Sequence, residues 1–191
     1  MSRFPQARFL VSAAAPGQFP PDLGAEVAFA GRSNAGKSSA INTLVGRHGL
    51  ARTAKLPGRT RLLNFFELGA SQRLVDLPGY GYASAPEAER SRWLPLIDAL
   101  KGRESLKGLF LIVDVRRGLT AGDEGLVNWV APGQRLHVLL SKADKLGRGE
   151  ALKALRTATA QLTGRASVQL FSSVDGTGVA EAQGVLRGWL G

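Results

Sequence analysis

The sequence predicts a doubly wound α/β domain built around a mostly parallel sheet. Short apolar runs, of the kind that form strands buried on both faces, alternate along the chain with longer segments of helical periodicity. One run, at 27–30, leads directly into a glycine-rich loop at 31–38 and then into a helical pattern at 39–44. This alternation is typical of sheets that carry helices on both faces.

The remaining elements follow the same alternation. Further strands are predicted at 62–68, 73–76, 109–113, 136–140 and 168–171. Further helices are predicted at 87–101, 123–130, 150–162 and 178–190. Pro95 should kink the first of these helices or mark its start.

The first 25 residues differ from the rest of the chain. They hold four of the nine prolines and are predicted to form an extended N-terminal lead-in over 1–25, in which 9–11 is a candidate edge strand. The residues 26–191 show no internal repeat or low-complexity tract, and we expect them to form a single domain with a full-sized core.

The composition argues against several classes of protein. The chain has 191 residues and no cysteine, which excludes disulfides, thiolate metal sites and lipid anchors attached to cysteine. No apolar stretch approaches the ~20 residues of a membrane span. The N-terminal residues 1–11 lack the long apolar region of a secretory signal. These features favour a cytoplasmic protein without a membrane anchor.

The charge balance points to a polyanionic partner. Lysine and arginine number 25 against 15 acidic residues, which gives a net charge of +10. A field of this sign attracts nucleic acid, so RNA is the favoured partner. A solvated basic face, or a compositional bias toward arginine, is the alternative that charge alone leaves open.

The glycine-rich loop fits the pattern of a phosphate-binding loop. Its residues are, in order, Gly31, Arg32, Ser33, Asn34, Ala35, Gly36, Lys37 and Ser38, followed by Ser39. Glycine lets the backbone wrap closely around phosphate oxygens, and the amides together with the helix dipole form a cradle for anions. Lys37 would reach the β- and γ-phosphates, and the Ser38 hydroxyl would bind Mg²⁺. The alternative is a glycine-rich turn capped by Ser33 or Asn34.

A second motif, Asp76-Leu77-Pro78-Gly79, ends an apolar strand. An aspartate here can hold a water on Mg²⁺, and the N–H of Gly79 can bind the γ-phosphate. Because Pro-Gly is also a turn signal, a simple turn at the end of the strand is the alternative. The phosphate loop upstream favours the functional interpretation.

A third motif, Ser141-Lys142-Ala143-Asp144, also follows a buried strand. The Asp144 carboxylate can accept hydrogen bonds from N1–H and the exocyclic amine of guanine, whereas adenine presents an acceptor in place of N1–H. The stem of Lys142 can lie across the base. A helix-capping role for Asp144 is the alternative.

Two weaker motifs complete the set. Backbone amides in the turn Phe171-Ser172-Ser173 could reach the guanine carbonyl, although an ordinary strand-to-helix turn explains this segment equally well. In the segment Gly58-Arg59-Thr60, the Thr60 hydroxyl could supply a second oxygen to Mg²⁺, and a surface hydroxyl is the alternative.

Taken in order, these five stretches resemble the five guanine-nucleotide motifs of the translation-factor-related GTPases. The local residues are similar to the EngB (YihA/YsxC) family of bacterial ribosome-biogenesis GTPases at 29–39, 57–60, 64–66, 75–82, 141–146 and 171–173. The segment that bears Tyr80 and Tyr82 is the most specific part of the likeness, which covers residue 7 to the C-terminus.

This resemblance implies a slow, Mg²⁺-dependent GTPase that acts as a molecular switch. It would assist assembly of the large ribosomal subunit and be needed for normal cell division and septation. The resemblance also implies the P-loop GTPase fold, with a six-stranded sheet and one antiparallel strand at 62–68. Guanine nucleotide and ribosomal RNA would be the partners of a monomer.

By match of motif, the resemblance also assigns roles to residues. The loop at 31–38 would hold the phosphates, and Lys37, Thr60 and Gly79 would have catalytic roles. Ser38 and Thr60 would bind Mg²⁺. Several GTPases with an asparagine at the position of Asn34 hold a potassium ion with its side chain, so potassium is a candidate cofactor. The alternative is that Asn34 bonds only its own backbone, as asparagine does in turns.

The base would be held by Lys142, Asp144 and Ser172, and the sequence departs from the wider GTPase pattern at two positions. Tyr80 stands where many signalling GTPases carry a glutamine that orients water, so intrinsic hydrolysis should be slow or should use another group. Ser141 replaces the more usual asparagine of the base motif, Ser141-Lys142-Ala143-Asp144. This replacement should weaken one link between the loop that these residues form, the base loop, and the phosphate loop.

Two other functions remain open at this point. A small-molecule kinase that uses ATP would explain the phosphate loop but not Asp144. An RNA-binding module that works without nucleotide would explain the basic charge alone.

Overall fold

The computed structural model describes residues 4–51, 62–80, 95–131 and 133–191. Within these ranges, seven strands form one sheet: β1 (Arg8–Ala13), β2 (Ala25–Gly31), β3 (Leu63–Gly69), β4 (Gln72–Asp76), β5 (Leu106–Asp114), β6 (Arg135–Ser141) and β7 (Ser167–Leu170). The helices are α1 (Lys37–Val45), α2 (95–101 within the described residues), α3 (Ala121–Trp129), α4 (Arg148–Gln161) and α5 (Val179–Leu190). None of these helices has the length and hydropathy that crossing a bilayer requires.

The sheet is mostly parallel, with the strand order β1-β3-β4-β2-β5-β6-β7. The pairs β4–β2, β2–β5, β5–β6 and β6–β7 are parallel. Strand β3 runs antiparallel to both of its neighbours, β1 and β4. The predicted α/β fold and the antiparallel strand predicted at 62–68 are therefore confirmed.

The number of strands corrects the sequence-based expectation of six. The seventh strand, β1, pairs antiparallel with β3 from Arg8 opposite Glu67 to Ala13 opposite Leu63. Its first three residues are exposed and only its last is buried. Because an edge strand buries few side chains, the sequence offered only a short candidate at 9–11. Part of the predicted lead-in thus forms one edge of the sheet.

Helices cover both faces of the sheet, and alternate residues of β2 point to opposite sides. Val27 and Phe29 belong to the core beneath α1 and α5, while Ala28 and Ala30 belong to the core beneath α2, α3 and α4. Phe29 stacks on Phe110 of β5, with ring centroids 5.0 Å apart. Burial on both faces explains why the sequence of β2 is a nearly continuous apolar run.

The parallel strands end at a common edge of the sheet, and this edge positions the functional loops. The register places Phe29 of β2 beside Asp76, the last residue of β4. It also places Asp114 and Ser141, the last residues of β5 and β6, side by side. The segments that follow these strands are therefore neighbours, which is the usual position of ligand sites in such sheets.

A buried charge cluster binds the lead-in to the opposite edge of the sheet, where the parallel strands begin. Glu26 of β2 is fully buried between two arginines. Its carboxylate accepts from Arg73 Nε at 2.8 Å and from Arg103 Nε at 2.6 Å. The same guanidinium groups donate to backbone carbonyls of the lead-in, including those of Pro20 and Pro21 at 2.9 Å each. This cluster holds the chain that enters β2 against the sheet.

Replacing Glu26 by Gln should destabilise the fold strongly, because it leaves two mostly buried arginines without their carboxylate. Loss of one partner from a buried ion pair costs about 3–5 kcal/mol. The matched control is Glu67→Gln, which breaks the pair with Arg8, whose side chain is 70% exposed, and should cost at most about 1 kcal/mol. Urea unfolding of both variants measures the difference. Equal losses would show that the buried cluster is not a stabilising element.

Candidate nucleotide-binding site

The predicted motifs converge at the carboxyl edge of the sheet, in the segments that follow β2, β4, β6 and β7. Gly58, Arg59 and Thr60 lie outside the described residues, so the role of Thr60 stays a prediction. The other candidate residues lie within the described part of the chain.

The loop at 31–38 has the backbone conformation that its glycines predict. Gly31 ends β2 so close to β5 that a Cβ there would lie 2.7 Å from the carbonyl oxygen of Ile112. Gly36 has φ +97 and immediately precedes α1, and Asn34 is also left-handed, with φ +65. The first hydrogen bond of α1 joins Ala40 N to Gly36 O at 2.9 Å. The amides of the first helical turn, at Lys37, Ser38 and Ser39, therefore have no acceptor within the helix and suit an anion.

Lys37 and Asp76 form an ion pair at the centre of the site. The Lys37 ammonium contacts Asp76 Oδ1, and the side chains are only 12% and 9% exposed. Burial raises the pKa of the Asp76 carboxyl, and the charge of Lys37 opposes this shift. The pair brings the phosphate-loop lysine together with the acidic residue of the second motif.

The segment after β4 lies directly against the phosphate loop. Leu77 N donates to Phe29 O at 2.9 Å, and Ser33 N donates to Tyr80 O at 2.8 Å. A Cβ on Gly79 would lie 2.9 Å from Ser33 Oγ and 3.3 Å from its Cα. A side chain at position 79 would thus require Ser33 to shift, and glycine avoids this close approach.

The side chain of Tyr80 is held by α3. Its hydroxyl donates to Oδ1 of Asp123, which is 2% exposed. Asp123 Oδ2 accepts from the amide of Thr120 at 2.7 Å and from its hydroxyl at 2.6 Å. Burial, reinforced by the charge of Asp123, raises the pKa of Tyr80 well above its usual range, so the phenol stays a neutral donor. Sequence reasoning missed Asp123, although Thr120-x-x-Asp123 is a legible capping box.

Ser141 joins the base loop to the phosphate loop. Its hydroxyl lies against two carbonyl oxygens, that of Ala35 in the phosphate loop and that of Val113 at 3.1 Å. The buried hydroxyl thus reaches the loop, and the expectation that this link is weaker than one made by asparagine stays a prediction. Ser141, the last residue of β6, thus holds the phosphate loop at Ala35.

The side chain of Lys142 joins the base loop to the phosphate loop and to the end of β5. Its ammonium donates to the carbonyl of Asn34 at 2.6 Å and to Asp114 Oδ2 at 3.0 Å. Arg116 binds the same carboxylate through Nε at 3.0 Å and Nη2 at 2.7 Å. These hydrogen bonds, that of Arg116 above all, hold the pKa of the Asp114 carboxyl well below its usual range. Sequence reasoning named neither Asp114 nor Arg116, because no short motif contains them.

Asp144 and Ser172 meet at the predicted base site. Ser172 is fully buried, and its hydroxyl donates to Asp144 Oδ1 at 2.8 Å. Lys145 pairs with Oδ2 at 3.0 Å. The hydrogen bond from Ser172 is the main cause that lowers the pKa of Asp144, which keeps the carboxylate ionised and acceptor-only.

The turn after β7 is fastened to the base loop. Ala143 N donates to the carbonyl of Phe171 at 3.1 Å, and the ring of Phe171 is buried in the core. Ser173, the next residue but one, is exposed. The structure therefore brings the Ser141–Asp144 motif and the Phe171–Ser173 turn together.

A glycine loop between a buried strand and a helix, with its lysine paired to the aspartate of the neighbouring strand, defines a phosphate-loop nucleotide-binding protein. Residues 26–142 match the sequence profile of a family described as 50S ribosome-binding GTPase. The probable GTP-binding protein EngB of Azoarcus sp. (strain BH72) is 54% identical over 196 residues, an alignment that covers 100% of this chain and 94% of the relative. The chain belongs to the EngB family of GTP-binding proteins, as the sequence resemblance implied.

Solved structures share the fold. The crystal structure of a probable GTP-binding protein engB aligns with a TM-score of 0.68 at 20% identity, covering 86% of this chain and all of that one. Era in complex with MgGDPNP and nucleotides 1506–1542 of 16S ribosomal RNA aligns with a TM-score of 0.65 at 21% identity, covering 87% of this chain and 57% of that one. These likenesses confirm the P-loop GTPase fold.

Replacing Asp144 by Asn should shift preference from GTP toward xanthosine triphosphate, whose base has a carbonyl where guanine has its amine. The carboxylate can only accept, whereas the amide can also donate to that carbonyl. Loss of hydrogen bonds to a charged group should weaken GTP binding by about 1.5–3 kcal/mol for each bond. Equilibrium binding of both nucleotides measures the shift, with Asp98→Asn on the exposed side of α2 as control. An unchanged preference for GTP would remove Asp144 from the base site.

Proposed function

We propose that this chain is a slow, Mg²⁺-dependent GTP hydrolase that assists assembly of the large ribosomal subunit in the cytoplasm. It works as a monomer and is needed for normal cell division and septation. Membership of a family described as 50S ribosome-binding GTPase is the observation that carries the proposal. The ionised Asp144 beside the phosphate loop and the net charge of +10 support guanine nucleotide and ribosomal RNA as its ligands.

In this proposal the phosphate loop and α1 bind the triphosphate. The amides at 36–39 face the phosphates, and the Lys37 ammonium moves from Asp76 to the β- and γ-phosphate oxygens. The N–H of Gly79 donates to the γ-phosphate. The base lies against Lys142 and accepts and donates hydrogen bonds at the base loop and the Phe171-Ser172-Ser173 turn.

The residues present suit Mg²⁺. The Ser38 hydroxyl, the predicted Thr60 hydroxyl and a water held by Asp76 are hard oxygen ligands of the kind Mg²⁺ prefers. Among the described residues no group of three or more His, Cys, Asp or Glu could form a protein-only metal cage, which fits an ion shared with phosphate oxygens. When bound, Mg²⁺ neutralises charge on the β- and γ-phosphates.

The geometry around Tyr80 supports slow hydrolysis. Its hydroxyl is committed to the buried carboxylate of Asp123, so Tyr80 does not orient the attacking water as a glutamine would. Asn34 lies exposed in the phosphate loop, where its side-chain oxygen is free to bind a potassium ion beside the β- and γ-phosphates.

Potassium should therefore accelerate GTP turnover. A cation at this position supplies the charge that an arginine finger supplies elsewhere, a contribution worth about 10³–10⁵ in rate when complete. Turnover is measured in KCl and in NaCl at equal ionic strength, alone and with ribosomal subunits. Asn34→Ala should abolish any difference between the salts. Equal rates for the parent chain in both salts, under both conditions, would rule out the potassium site.

The proposal as a whole is tested by co-sedimentation of the chain with purified ribosomal subunits. Association should be strong with large subunits and a non-hydrolysable GTP analogue, and weak with GDP or with small subunits. Binding that is independent of nucleotide would favour an RNA-binding module instead. No association with large subunits in any nucleotide state would contradict an assembly role.

A further inference from the structure

A cavity lies beside the phosphate loop and is lined by residues that follow β5 rather than by residues of α1. Its volume is about 390 Å³, and its charged and polar lining includes Arg32, Asn34, Asp114, Arg116, Arg117 and Lys142. Lys37, Ser38, Asp144 and Ser172 do not line it. The cavity thus adjoins the proposed nucleotide site, with which it shares Lys142 and the phosphate-loop residues 32–35, and extends beyond that site along the segment that follows β5.

The cavity carries an excess of positive charge. Four cationic side chains line it, and its two carboxylates, Asp114 and Asp123, are already engaged. Asp114 is bound by Arg116 and Lys142, and Asp123 accepts from Tyr80 and Thr120. Four cations against these two carboxylates leave an excess of two positive charges in the lining.

Two arginines of the lining are available to a ligand. Arg117 is exposed, and no hydrogen bond or ion pair joins its guanidinium to another residue in the described part of the chain. Arg116 uses Nε and Nη2 on Asp114 and is 47% exposed, so its Nη1 edge can still donate. Neighbouring guanidinium groups of this kind match the geometry of a phosphate, to which arginine donates in pairs.

The surroundings favour RNA over an acidic protein as the source of that phosphate. The chain as a whole carries a net charge of +10, which attracts polyanions over a wide surface. A phosphodiester group is recognised through its negative charge and its acceptor oxygens. The cationic side chains around this cavity supply positive charge and hydrogen-bond donors. Backbone phosphates also receive most of the polar contacts in nucleic-acid complexes.

We propose that a backbone phosphate of ribosomal RNA binds in this cavity, held by Arg116 and Arg117 beside the phosphate loop. This inference rests on the proposed ribosomal function. Arg116, which holds the phosphate in this proposal, and Lys142 both bind the Asp114 carboxylate. RNA binding is thereby coupled to the guanine site, and by thermodynamic linkage the nucleotide influences RNA affinity equally.

The test uses Arg117→Gln, because Arg117 is exposed and has no partner among the described residues whose loss would disturb the fold. Arg187→Gln is the matched control, an exposed arginine on α5, away from the cavity. Binding to purified large subunits and to protein-free large-subunit RNA is measured from 50 to 300 mM KCl. Circular dichroism and GTP affinity confirm that both variants are folded.

We expect Arg117→Gln to reduce the log–log salt slope by about 0.7–0.9, the share of one phosphate contact. Where parent and variant bind equally at 1 M salt, this difference in slope makes the affinity of the variant roughly five- to eightfold lower at 0.1 M salt. Arg187→Gln should change neither quantity. Arg116→Gln should weaken RNA binding and also alter GTP affinity, because it releases Asp114 to Lys142 alone.

Three outcomes would overturn the inference. Equal salt slopes for Arg117→Gln and Arg187→Gln would remove the cavity from the RNA interface while leaving the proposed function intact. A loss seen with intact subunits but not with protein-free RNA would assign Arg117 to an acidic protein partner. Failure of the parent chain to bind either target would contradict the proposed function itself.

Discussion

The site depends on the pairing of β2 between β4 and β5. Strand β2 is buried along its whole length, and its register brings the end of β4 to the start of the phosphate loop. Lys37 can reach Asp76 only because these two strand ends are adjacent. The same alignment places Gly79 against Ser33, which a side chain at position 79 would have to displace. A shift of one residue in this register would separate all of these groups.

The segment from the last residue of β5 to the first turn of α3 (114–123) is the second organising element, and it contains none of the motif residues. Through Asp114 it holds Lys142, and through Asp123 it holds Tyr80. One segment thus supports both the base lysine and the residue that follows Gly79. A ligand that moves this segment would therefore act on Lys142 and on Tyr80 together.

Much of this architecture could be predicted from the sequence, for physical reasons. Strands β2, β5 and β6 are buried on both faces, so they appear as apolar runs, and the phosphate loop is specified by closely spaced residues. Strand β1 was only a candidate, because it is exposed at the edge. The cluster of Glu26, Arg73 and Arg103 could not be predicted, since its members are far apart in sequence and charged side chains in strands usually face solvent.

The contact between Asp114 and Lys142 escaped prediction for the same reason: it depends on which strands become neighbours. Ser141 shows how much depends on the same packing. The end of β6 lies close enough to the phosphate loop for the serine hydroxyl to reach the carbonyl of Ala35, and whether this link is weaker than one made by asparagine stays a prediction. Thr60 lies outside the described residues, so its role still rests on the sequence alone.

The central claim is that this edge of the sheet forms a site for guanine rather than adenine. Equilibrium binding of GTP and ATP to the full chain, at one Mg²⁺ concentration, tests it most directly. The two hydrogen bonds from guanine to the Asp144 carboxylate, at roughly 1.5–3 kcal/mol each, predict that GTP binds about 10²- to 10⁴-fold more tightly. Equal affinity for the two nucleotides would contradict the account.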